Sequence, residues 1–224
     1  MHKCEYCKKS FKREGTLATH MCPKKMRHMQ KNDPNVRIGF RAYQLFYKIG
    51  TASKKVKTYE DFADSQYYAA FIRFGSYCID LGIDDVSGYV EYLLANQVKL
   101  DRWDKDTHFN AWIKNRLKSE SVDRAFERTV LFMTEWGEET GNDWHTYFDR
   151  VNTNRAVFHI CSGKLSPWVL FASDKAQHLI DRFNEEQLGI VADYIDADYW
   201  QRKMNVNKPD FEWVTTVLAQ ADLA

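Results

Sequence analysis

Three of the five cysteines fall in the first 22 residues, at Cys4, Cys7 and Cys22, with His20 and His28 close by. Thiolate sulfur and imidazole nitrogen are the donors a four-coordinate zinc ion takes. Cys4-x2-Cys7-x12-His20 spaces three of them as such a site requires, with a Cys pair on a tight hairpin turn and a His reaching back from the following helix. The fourth donor is irregular, because the slot with three to five residues after His20 holds Lys24, Lys25 and Met26. Cys22 is about 200° around a helix from His20, so it turns to the metal only if the helix ends there, and Pro23 supplies a reason for that end. His28 is the alternative, on roughly the same helical face as His20 but too far along it unless the chain folds back after Pro23. Cys22 is preferred because a thiolate is the stronger ligand. A three-ligand catalytic site with water is disfavoured, since no Glu base sits within the motif as in His-Glu-x-x-His.

Two hydrophobic positions agree with this spacing: Phe11 lies four residues after Cys7, and Leu17 three before His20. With them, the segment Cys4 to His20 resembles a C2H2-type zinc finger. The resemblance implies a small ββα fold around one structural Zn2+, and a helix that turns Arg13, Thr16 and Thr19 toward base edges. Arg13 is the residue type that pairs with guanine, whereas the threonines are weak readers. One finger reads about three base pairs, so further affinity must come from phosphate contacts. Lys24, Lys25, Arg27, Lys31, Arg37 and Arg41 follow directly, and a second basic cluster, Lys54, Lys55 and Lys57, comes after them.

The elements that must position these side chains divide by charge. Residues 1 to 57 carry 15 Lys and Arg against three acids, a net of +12, while residues 58 to 224 carry 17 against 28, a net of −11. A basic arm ahead of an acidic body suits a polyanion partner, here nucleic acid, with the body repelled from it; mutual neutralisation of arm and body is the competing reading. Phe40, Tyr43, Phe46 and Tyr47 interleave with the arm's cations and could stack on exposed bases. Positions 36, 40, 43 and 47, however, repeat on one face of an amphipathic helix, which predicts docking onto the body.

From Tyr59 onward the apolar spacing is helical, with Phe71, Phe74, Cys78 and Leu81 on one face and Val122, Phe126, Val130 and Met133 on another. Leu179, Phe183, Val191 and Ile195 mark a third region, predicted to break near Gly189. Thr58, Asp85 and Ser166-Pro167 read as helix starts. Ten Gly and four Pro in 224 residues argue against a β-sandwich or an α/β nucleotide fold. The expected architecture is mainly α: zinc finger over 1–30, basic helical arm over 31–57, and an acidic all-α domain over 58–224. No apolar run approaches the length of a membrane span, and no secretory signal is expected, so the chain belongs in a reducing intracellular compartment.

Chemistry in the body is not evident. Cys78 and Cys161 read as buried thiols. His145, Asn154 and His159 follow the order of an HNH nuclease but lie among helix formers, and no Gly-rich phosphate loop exists. Asp193, Asp196 and Asp198 lack the pattern of a calcium loop and suit a helix cap near Ala197. Trp103, Trp112 and Trp213 lie among charged residues, where one or more could anchor a partner.

The segments His20-Met21-Cys22, Val36-Arg37-Ile38-Gly39-Phe40 and Leu165-Ser166-Pro167-Trp168 give the whole chain a resemblance to zinc-finger proteins of T4-like tailed bacteriophages. It implies a role in phage DNA metabolism or virion assembly, hence the host cytoplasm. The expectation is a non-enzymatic, DNA-binding accessory protein that tethers a protein partner. The alternative is a structural or protein-interaction component whose finger is only a zinc staple.

Overall fold

A computed structural model describes residues 1–50 and 55–223. The fold is mainly α, with 15 α-helices and one two-stranded sheet among the described residues. The chain divides into two compact units, 1–108 and 109–224, so the charge step at Lys57 falls inside the first unit.

The first unit opens with an antiparallel hairpin of β1 (His2–Lys3) and β2 (Ser10–Phe11), followed by α1 (Glu14–Ala18) and α2 (Pro23–Met29). Then come α3 (Pro34–Leu45), which runs into a π-turn over Phe46–Gly50, α4 (Tyr59–Ala63), α5 (Tyr68–Asp80) and α6 (Val86–Ala95). The caps follow the sequence. Thr58 and Asp61 form a reciprocal capping box on α4, and the Asp85 carboxylate accepts from the Gly88 amide to start α6.

The core of this unit is the crossing of α3 and α5. A Cβ on Gly39 would lie 2.6 Å from the Phe71 carbonyl oxygen, and one on Gly75 would press closer still on that of Asn35. Two glycines therefore let the helix backbones meet directly. Val36 and Tyr43 are buried on the inner face of α3, and the Tyr43 ring packs against Phe62 and Phe71, as the helical spacing predicts. Trp103 is fully buried beside Phe46, Phe71 and Phe74, its indole N–H donating to the Val98 carbonyl. Asp101, Arg102 and Lys105 around it are exposed while the ring fills the core, so Trp103 offers no docking surface.

Helix α7 (Asp106–Ser119) begins at the end of the first unit and contributes buried Trp112, Ile113 and Leu117 to the second. Among Trp103, Trp112 and Trp213, only Trp213 is exposed, at 43%. The second unit continues with α8 (Val122–Thr140), α9 (Tyr147–Arg150), α10 (Thr153–Cys161), α11 (Pro167–Ala172) and α12 (Asp174–Asp181). It closes with α13 (Glu185–Ala192), α14 (Ala197–Val206) and α15 (Lys208–Gln220).

Ser166 caps α11 with Pro167 in the first turn, and Asp196 caps α14 by accepting from the Tyr199 amide. The break expected near Gly189 falls instead at 182–184, because Asn184 and Gln187 form a capping box that starts α13 and carries Gly189 inside it. Thr129 accepts the Ser166 amide, while Arg128 clamps the Glu120 carboxylate and the Gly163 carbonyl, tying α8 to the start of α11. No helix among the described residues is long and apolar enough to cross a membrane.

Candidate metal centre

The hairpin sets the first two donors. The Cys4 amide donates to the Lys9 carbonyl and the Lys8 amide to the Cys4 carbonyl, both at 2.9 Å, and Lys8 takes the left-handed conformation that closes the turn. Helix α1 is little more than one turn long and ends before His20, whose ring packs on Phe11 and brings Nε2 to 3.3 Å from the Cys7 sulfur. Cys22 is not the end of that helix but the N-cap of the next. Pro23 takes the first position of α2, and the Cys22 sulfur accepts from the Lys25 amide at 3.4 Å.

The donor atoms of Cys4, Cys7, His20 and Cys22 all lie within 4.8 Å of one another, near enough to hold one metal ion. Cys4 and Cys22 are buried. His28, the other candidate for the fourth place, is not in the cluster; its ring packs between those of Tyr6 and Tyr59, at 5.0 and 5.5 Å. Among the described residues no other group of three or more such donors converges. Asp193 pairs with Lys114 and Asp196 is spent as a cap.

The electrostatics ask for a cation. The amide of Cys7 holds the Cys4 thiol below its ordinary range, outweighing burial. The Lys9 amide pulls the Cys7 thiol the same way, but burial and the neighbouring sulfurs of Cys4 and Cys22 raise it on balance. Three sulfurs this close cannot all ionise against one another, whereas a bound dication removes the conflict. Three sulfurs and one imidazole nitrogen on short, fixed turns are a donor set that suits tetrahedral zinc.

The finger-like segment is fastened to its own unit. Arg27 donates to the Ala63 carbonyl at 2.6 Å and lies over the Tyr68 ring, and the Tyr59 hydroxyl donates to the Arg27 carbonyl at 2.5 Å. Lys24 pairs with Asp64 at 2.8 Å, and Lys25 donates to the His20 carbonyl. Lys31 and Lys57 sit over the rings of Tyr59 and Tyr47. These cations, expected at phosphates, thus have partners within the unit. Lys55 is exposed, and Lys54 lies outside the described residues.

Arg13, Arg37 and Arg41 are exposed. Thr16 is exposed on α1, but the Thr19 hydroxyl bonds the carbonyls of Gly15 and Thr16 where the helix stops. The three expected base readers therefore sit on one short helix, with Arg13 at its N-cap and Thr19 at its C-cap.

In the second unit, His145 pairs with Asp143 in a 3-10 turn, while His159 is buried on α10 with Nδ1 2.7 Å from the Tyr147 hydroxyl. Burial pulls the His159 pKa down to about 4, with the charges of Lys164 and Arg155 adding to the effect. Cys78 and Cys161 are both held up by burial, to about 12 and about 11, and make poor nucleophiles.

Sequence reasoning missed Tyr59 and Tyr68 as the surface to which the metal segment is fixed. The spacing of 30 or more residues between them and Arg27 or His28 carries no local signal. The second role of Cys22 was legible in the Cys-Pro pair, which reads as cap followed by first helical position. No protein-family model matches this chain, and no curated protein or solved structure matches it either.

Proposed function

We propose that the protein holds one zinc ion at Cys4, Cys7, His20 and Cys22 and binds nucleic acid, DNA in particular, through the exposed cations of its first unit. It acts without catalysis, and its acidic second unit recruits a protein partner in phage replication, recombination or transcription. The observation that carries this reading is the placing of exposed Arg13, Arg37 and Arg41 in the unit that holds the four-donor cluster. Arg37 and Arg41 lie four residues apart on the solvent face of α3, so both can reach one phosphate backbone. With Thr19 tied back, contact to phosphates outweighs base reading, and sequence preference is weak.

The test is binding of fluorescent duplex and single-stranded DNA at 50 and 200 mM NaCl, with zinc measured on the same sample. Replacing Arg13, Arg37 and Arg41 by Ala together lowers the salt slope by about 2.7, at about 0.9 per phosphate contact. Equal slopes for parent and triple variant refute the reading. The contacts of Arg27, His28 and Lys24 with α4 and Tyr68 support a second reading, in which the metal only staples the N-terminus for protein contacts. One zinc per chain with no affinity for either DNA favours it.

A further inference from the structure

The second unit contains a cleft of about 310 Å3 lined by groups of both charges. On α8, Glu135 and Glu139 stand one helical turn apart and are exposed. Arg155 of α10 and Lys164, three residues beyond that helix, complete the charged lining. Among the described residues, ion pairs of this unit such as Lys114–Asp193, Arg128–Glu120, Lys175–Asp222 and His145–Asp143 involve none of these four. Two carboxylates and two cations thus line one cavity without neutralising each other directly.

Between them the lining is aromatic. The Phe132 ring lies 5.2 Å from the Lys164 ammonium, and Phe158 is 44% exposed on a helix whose other large apolar residues are buried. His159 adds a neutral ring, with Nδ1 taken up by the Tyr147 hydroxyl. The formal charge of the lining sums to zero. A simple anion drawn to Arg155 meets Glu135 and Glu139, and a simple cation meets the converse. A ligand carrying both charges satisfies the carboxylates and the cations together, and an exposed Phe gives its apolar part a surface.

We propose that this cleft binds a small zwitterion with an apolar body, namely an α-amino acid with an aromatic side chain. Its carboxylate pairs with Arg155 and Lys164, its ammonium with Glu135 and Glu139, and its ring packs against Phe132 and Phe158. The volume is at the low end for small-molecule clefts and suits a ligand of amino-acid size. This site is separate from the metal centre and does not rest on nucleic-acid binding.

The experiment is calorimetric titration of the full chain with L-phenylalanine, phenethylamine and 3-phenylpropionate, the last two lacking one charge each. Saturable binding of L-phenylalanine is expected, with each half-ligand at least about tenfold weaker. Arg155→Met and Glu139→Gln should each weaken L-phenylalanine by about tenfold or more, while the thermal midpoint without ligand stays at the parent value because both side chains are exposed. The proposal is overturned if L-phenylalanine does not saturate in the millimolar range. It is equally overturned if either half-ligand binds as well, or if both variants bind like the parent.

Discussion

The buried His159 makes the stability of the chain depend on pH. Its ring is 9% exposed, packs edge-on to Phe132 at 4.6 Å and shares a hydrogen bond with Tyr147, and burial pulls its pKa from the ordinary 6.5 to about 4. Below pH 6.5 the unfolded chain takes up a proton that the folded chain does not, so unfolding is favoured as pH falls toward 4. Relative to pH 7, the loss amounts to about 1.2 kcal/mol at pH 5.5 and about 2.4 kcal/mol at pH 4.5. The perturbation is His159→Asn, which keeps an acceptor near the Tyr147 hydroxyl but cannot titrate. Urea unfolding of parent and variant at pH 7.0, 5.5 and 4.5 measures the effect. The variant starts lower because ring packing is gone, yet it loses less on acidification, and the gap narrows by the amounts above. A gap that stays constant across this range would sink the argument, as would an NMR titration placing His159 near 6.5.

Three other expectations are independent of this one. Cys22→Ser should lower zinc content below one per chain under competition with a chelator, whereas His28→Ala should keep full zinc and lose only about 1 kcal/mol of packing against Tyr6 and Tyr59, read by metal analysis and thermal melting. Arg27→Ala should cost about 1 to 2 kcal/mol in the first unit while leaving the salt slope of DNA binding unchanged, because its guanidinium is committed to Ala63 and Tyr68. Gly75→Ala should destabilise by about 3 kcal/mol or more in urea unfolding, since the added methyl meets the Asn35 carbonyl on α3, while Gly15→Ala, with open space at its Cβ, should not.

The fold was legible where the signal is local. Thr58, Asp85, Ser166 and Asp196 cap the helices their side chains announce, and the spacing of Val36, Phe40, Tyr43 and Tyr47 marks the face of α3 that turns inward. The Cys-x2-Cys hairpin and the His thirteen residues after Cys7 belong to the same class, since turn and spacing alone bring them together. What was not legible depends on contacts made far along the chain. Charge composition marked a boundary at Lys57, but Gly39 and Gly75 let α3 pack on α5, and charge says nothing about such a crossing. The basic residues looked alike in sequence. Arg27 and Lys24 differ from Arg13 and Arg37 only through Ala63, Asp64 and Tyr68, which lie more than 30 positions away. Trp103 misled for the same reason, its polar sequence neighbours hiding a ring that fills the centre of the first unit.

The fastening of α2 to Tyr59, Ala63 and Tyr68 has a consequence for portability. Residues 1 to 30 contain all four metal donors, but not the tyrosine hydroxyl that holds the Arg27 carbonyl, the ring beneath its guanidinium, or the edge that closes over His28. Excised and grafted onto another chain, the segment would keep its coordination chemistry and lose its orientation, exposing the His28 ring to water. Tandem arrays of fingers are assembled from units that carry their own core. This one shares its core with the helices that follow, so insertion, deletion or shuffling is tolerated only for the whole first unit.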